Sequence, residues 1–295
     1  MTKSRLFSKN TVRAALNSFL FLYIVLFFGC SPSSTPTYSI ENIDTAIQDI
    51  CKKEYKLDVK VKTVGKTLWL YMPKQDILEK TKEKYTDKFE IESNEAVFEK
   101  GRLQIKYSIK AIPDTDKIQE YKYTKSVLEN VSNAWKVIRR VVFSMENSQE
   151  DQPHFFCLIA ADTVNGIELR QIFYYLDMKR IFYGLMSWEE YSHREIQHTK
   201  VDSNITGDEE GRHVDYHGIS MEEFLADQIQ QRIKVKFQKP EVGKNADIDK
   251  EIVKVVAYTI KNYGMKDFSF AELDNLIGGG KIILNRAALW EEPTE

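Results

Sequence analysis

An excess of either charge is missing from this chain. Its 42 Lys and Arg stand against 44 Asp and Glu, a formal net charge of −2. No basic surplus can condense on a phosphate backbone and no acidic tail exists, so nucleic acid is not an expected partner. Cysteine is scarce: Cys30, Cys51 and Cys157 provide no CxxC and no zinc-type spacing. The patterns GxSxG, GxGxxG, the P-loop and HExxH are absent. Gly278-Gly279-Gly280 is no substitute, because it lies between two strand patterns with no helix after it to cradle a phosphate. What the chain has in quantity is aromatic side chains, at 12%. That proportion buries a core, which excludes global disorder.

The patterns along the chain predict an α+β fold of antiparallel β-hairpins packed with amphipathic helices. Ile43, Ile47, Ile50, Cys51 and Tyr55 fall at helical spacing behind Asn42. Leu57, Val59 and Val61 then alternate with charges, and Gly65 turns the chain into TLWLYMP, a hairpin. Residues 76–85 read as a short charged helix, KFEIES, EAVFEKG and LQIKYSIKAI as strands, and 114–116 as a loop. Val127, Val131, Trp135, Ile138, Val142 and Met145 mark the longest helix. HFFCLIAAD is apolar throughout and predicts a central strand buried on both faces. Asn165-Gly166 turns it into IELRQIFYYLDMKRIFYG, read as one or two strands. Ser187 and Ser220 open capping boxes, and Asp247 caps a helix that ends at Gly264. Residues 197–218 read as a long polar loop, and FSFAEL and KIILN as the last strands. Helices at 43–55, 121–145 and 247–263 each precede two strands, a weak αββ repeat.

The N-terminus carries the most specific signal. Lys3, Arg5, Lys9 and Arg13 precede an unbroken apolar run from Phe19 to Phe28, and the first acid is Glu41. Ten residues suit a signal-peptide core and are short for a helix crossing ~30 Å of hydrocarbon. The run ends in Gly29-Cys30 and passes into the polar spacer SPSSTPT. This resembles the lipobox of bacterial lipoproteins, with Gly29 and Cys30 as the matching positions and Phe27 and Phe28 where leucine and a small residue are usual. The resemblance covers the first thirty residues only. It implies diacylglycerol on the Cys30 thiol, cleavage before it, and a body held in the periplasm or outside the cell on the cell membrane or outer membrane. The covalent lipid is the one cofactor-like group implied, and the bilayer, reached through that lipid, is the first implied partner.

The expected organisation is therefore a signal peptide at 1–29 and a lipidated cysteine with flexible tether at 30–41. An α+β region follows at 42–115, then a central helix and hairpin at 116–200. A polar histidine-rich loop occupies 201–219, and a helical and β region 220–292. Cys51 and Cys157 either pair in an oxidising compartment or fill the core.

Two functional readings compete. The first is a non-catalytic binding or scaffolding protein of the cell envelope. For it, Trp69, Tyr71, Tyr174, Tyr175, Phe182, Tyr183, Trp188 and Tyr191 supply aromatics near strand ends, for contact with an envelope protein or a glycan, or else for the core. The second is a metal-dependent hydrolase using His193, His198, His213, Asp215 and His217. Imidazole and carboxylate are good zinc ligands, though no glutamate stands between His213 and His217 as a general base. The stretch from Asp202 to His213 also resembles the start of an EF-hand loop, with histidine where the closing glutamate belongs.

Overall fold

The computed structural model describes residues 38–145, 152–238 and 242–292. The leader, Cys30 and the tether as far as Thr37 lie outside the described residues; the rest of the expected tether, 38–41, is described, with Tyr38 bridging to Met145. Within them the chain is α+β. Helix α1 (Ile43–Tyr55) leads into strands β1 (Lys60–Val64) and β2 (Thr67–Lys74). Two long strands, β3 (Leu78–Glu99) and β4 (Arg102–Tyr123), are followed by α2 (Lys125–Phe143), β5 (Phe155–Asp162) and β6 (Ile167–Tyr174). Then come α3 (Tyr175–Phe182), α4 (Trp188–Arg194), β7 (Ile196–Val201), α5 (Met221–Gln238) and α6 (Ile248–Tyr263). Strands β8 (Phe270–Asn275) and β9 (Lys281–Asn285) and helix α7 (Arg286–Glu291) complete the fold. Among the described residues no helix is long and apolar enough to cross a membrane.

Two sheets form, and both are assembled in the same way. The first runs β1-β2-β5-β6-β7 and the second β3-β4-β8-β9. In each, two antiparallel hairpins meet through one parallel pair, β2 with β5 and β4 with β8. Helices α1, α2 and α6 each precede a hairpin, so the helix–strand–strand order recurs three times. Sheet membership cuts across the sequence segments, since β3 and β4 join β8 and β9 while α2 joins the first sheet.

The first sheet is covered on both faces, which is why β5 carries eight buried residues in a row. Leu68, Leu70, Met72, Phe156, Leu158 and Ala160 face α1 and α2. The alternate residues Trp69, Tyr71, Phe155, Cys157 and Ile159 face the other way, under the segment 202–219 and Phe224 of α5. This alternation also settles the cysteines. Cys51 belongs to the α1 side and Cys157 to the opposite face, so they do not pair; both are buried free thiols. The second sheet packs Leu103, Ile105, Leu273 and neighbours against α5 and α6.

Several local expectations are corrected. Residues 76–85 are not a helix; from Leu78 they form the start of β3, and 114–116 are not a loop but lie inside β4, where Thr115 and Asp116 pair with Asp87 and Thr86. In this part of the ribbon both faces are largely wet, so no apolar alternation marks it as strand. The run after β6 is not a second strand: Tyr175, Asp177 and Met178 turn inward at helical spacing in α3. The polar loop begins later than expected, because 197–201 belong to β7, hydrogen-bonded to β6.

Candidate functional site

The five residues read as metal ligands are distributed over separate places. His198 stands on β7 beside Arg170 of β6, with Nε2 3.6 Å from Asp227 Oδ2. His213 is buried between two carboxylates, Nδ1 2.6 Å from Asp208 and Nε2 3.0 Å from Glu168. Each ring nitrogen faces an acid, which makes the ring a tie between the covering segment and the sheet. His217 sits at Glu223 on α5 at 2.9 Å, and this hydrogen bond raises its pKa above the ordinary histidine value. Its carbonyl accepts from Trp69 Nε1 at 2.8 Å, while the Asp215 side chain points into solvent. His193 lies on α4, at a groove described below. Among the described residues no group of three His, Cys, Asp or Glu is arranged to hold a metal ion.

The calcium-like stretch is occupied by local bonds. Asp202 accepts from Asn204 N and pairs with Lys200. Asp208 accepts from the amides of Glu210 and His213. Burial alone would raise the Asp208 carboxyl, but these amides and the His213 ring outweigh it and hold it at about 2. Gly211 explains the tight path. It has φ +72°, and a Cβ there would collide with the Tyr216 hydroxyl and the Tyr71 ring.

The better concavity lies where two layers meet, α3 and α4 beside the first sheet and α5 and α6 against the second. Asp177 of α3 is buried and accepts from Arg194 Nη1 at 2.8 Å, Arg180 Nη1 at 3.1 Å and the Tyr263 hydroxyl at 2.6 Å. Arg194 Nε in turn donates to Glu190 Oε1 at 2.6 Å, which also accepts from Arg232 Nη2 at 2.9 Å. Burial tends to raise the Glu190 carboxyl; the two guanidiniums prevail and keep it below the ordinary carboxylate range. On α6, Glu251 is held between Lys236 and Lys254 at 2.6 and 2.7 Å. Five cations thus face three carboxylates in two sets of pairs, one running from Arg180 through Asp177, Arg194 and Glu190 to Arg232 and one around Glu251.

A cavity of about 230 Å³ opens on this network, lined by Glu190, His193, Arg232, Lys254, Val255 and Tyr258. Arg232 is one-tenth exposed and lies 4.8 Å from the Tyr258 ring centre. Its Nε is buried and has no hydrogen-bond partner among the described residues. A guanidinium lining a cavity is suited to a carboxylate or phosphate oxygen, and the aromatic ring beside it to a flat or aliphatic body. On the far side of His193, burial pushes the Glu195 carboxyl up to about 7 against an opposing hydrogen bond from Gln171.

None of the groove's key residues except His193 was a sequence candidate; Glu190 read as a capping-box partner. A trace was present. Glu251, Lys254, Val255 and Tyr258 fall at three-, four- and seven-residue spacing on one stripe of α6, and Arg232 adjoins the apolar Ile233. The eight aromatics divide. Trp69, Tyr71 and Tyr175 are core, Tyr174 and Tyr191 are half-buried, and Phe182, Tyr183 and Trp188 are exposed. No family model, no curated protein and no solved structure matches this chain.

Proposed function

We propose that this chain is a bacterial lipoprotein whose body serves as a binding protein of the cell envelope rather than as a catalyst. Location rests on the leader, Gly29-Cys30 and the tether. The binding role rests on one observation: Arg232, whose buried Nε has no partner among the described residues, lines a cavity where cations outnumber acids. The ligand is a small molecule or side group bearing a carboxylate or phosphate. The Glu190 and Tyr258 contacts hold the guanidinium in place before the ligand arrives, so little ordering entropy is lost on binding.

Two measurements test this. Labelled palmitate should enter the wild-type protein and not the Cys30→Ala variant; equal labelling removes the anchor. Thermal unfolding at constant ionic strength should shift upward with inorganic phosphate or succinate, because binding to the folded state adds about 2.7 kcal/mol at a hundredfold excess over Kd. Arg232→Gln should flatten that response. A wild-type protein indifferent to both anions would remove the anionic groove.

A further inference from the structure

The turn between α3 and α4 carries an exposed ridge that the binding groove does not use. Phe182, Tyr183, Leu185 and Trp188 are 55%, 65%, 76% and 69% exposed. Single exposed apolar residues are ordinary, but four within seven positions, three of them aromatic, are not. The ridge stands beside the place where the described chain begins. Tyr38 bridges to Met145, just past the end of α2, and Phe143 of α2 lies 5.0 Å from the Phe182 ring. Only the seven residues Ser31 to Thr37 separate Tyr38 from Cys30. Even fully extended, the eight steps from Cys30 to Tyr38 reach no more than about 29 Å. A lipid at Cys30 therefore keeps this corner of the body, and no remote one, within reach of the bilayer.

The surroundings have the complementary charge. Lys136 and Arg139 on α2 are exposed beside Phe182, with Arg140 paired to Glu54. Lys179 and Arg180 lie on the turn of α3 leading to the ridge, Arg180 being paired to Asp177. Glu189 stands next to Trp188 as an opposing acid. Tyr and Trp prefer the headgroup level of a membrane, and basic residues around them favour an anionic surface.

We infer that Phe182, Tyr183, Leu185 and Trp188 form a second membrane contact, inserting into an anionic bilayer surface and fixing the orientation of the anchored body. This rests on the lipoprotein reading.

The test uses the full acylated chain in vesicles of phosphatidylethanolamine and phosphatidylglycerol. An environment-sensitive fluorophore is placed at Leu185→Cys and, as control, at Val201→Cys, which is 76% exposed on β7. Cys51 and Cys157 are fully buried and do not compete for the label. The Leu185 label should shift to the blue and be quenched several-fold more by lipid-borne nitroxides than the Val201 label. An anchored protein whose two labels are equally aqueous overturns the ridge and leaves the lipoprotein reading standing. Shielding from aqueous quenchers without quenching by lipid nitroxides assigns the ridge to a second copy of this chain and also overturns it. A wild-type protein that carries no acyl chain removes both readings together.

Discussion

Replacing Asp177 by Asn probes the junction between the layers with almost no change of shape. The carboxylate is 2% exposed and accepts one hydrogen bond each from Arg194, Arg180 and Tyr263. Asn removes the charge; with its oxygen kept toward the arginines, its NH2 meets the Tyr263 hydroxyl, which must turn from donor to acceptor. Arg194, 7% exposed, keeps only Glu190 as a charged partner. Breaking a buried pair by removing one partner costs about 3–5 kcal/mol. Arg180 is more than a third exposed and relaxes into water, and the Asn oxygen still accepts one bond, so the low end applies: about 3 kcal/mol. Asp177 also sits in the first turn of α3, where its charge opposes the helix dipole at about 0.3–1 kcal/mol. Urea unfolding followed by tryptophan fluorescence reads the loss as a lower midpoint at unchanged slope. Tyr263→Phe should show a coupling of about 1 kcal/mol with it in a double-mutant cycle. A loss under about 1 kcal/mol for Asp177→Asn would refute the claim that this network holds the layers together, because solvent would then be replacing the carboxylate at little cost.

Other substitutions test separate parts. Asp162 is buried and accepts from the amides of Ile77, Val164 and Asn165 and from the Asn165 side chain. Burial would raise its pKa, but these bonds hold it below the ordinary value, so its stabilisation is present above the unfolded carboxylate pKa and disappears as pH falls through the folded one. Asp162→Ala should cost about 2–3 kcal/mol at neutral pH and progressively less in acid, measured by chemical unfolding. Glu195 has the opposite sign. With its folded pKa at about 7, its contribution is fullest below the unfolded value and is lost as pH rises through 7, so Glu195→Gln should stabilise by up to about 3 kcal/mol at pH 8 and by nothing at pH 4. Gly211→Ala should lower stability by about 2 kcal/mol and expose amides of the 202–219 segment to hydrogen exchange, since φ is positive there and the added carbon meets the buried Tyr71 ring as well as the Tyr216 hydroxyl.

Much of the fold was legible where one face is dry. HFFCLIAAD became β5 because burial on both sides removes any reason for alternation, and the caps at Ser187, Ser220 and Asp247 each accept the backbone N–H expected of them. Legibility failed where the environment does not vary around the element. Residues 78–87 are stranded but wet on both faces, so charges fall anywhere and the helix pattern is as good a match. Tyr174 and Tyr175 hid the change from β6 to α3, because β-branched and aromatic residues read as strand until Asp177 is known to be buried. The joining of hairpins through β2–β5 and β4–β8 leaves no local trace at all. It is a long-range pairing that alternation permits but does not specify.

The same distinction explains why histidines were conspicuous in the sequence and peripheral in the groove. A residue type attracts attention by its intrinsic chemistry, and imidazole near neutral pH has more of it than guanidinium. What makes a group available, however, is what the fold leaves over. His213 and His217 sit in a segment that must hold itself onto a sheet face without regular structure, so carboxylates and carbonyls are drawn to their nitrogens as fasteners. Arg232 carries five donors, and the two-layer junction supplies acceptors for only part of its fork. The surplus arises because Glu190 is shared with Arg194, itself committed to Asp177. The unmet donor is therefore a consequence of how α3, α4, α5 and α6 converge, a convergence that no single stretch of the sequence contains.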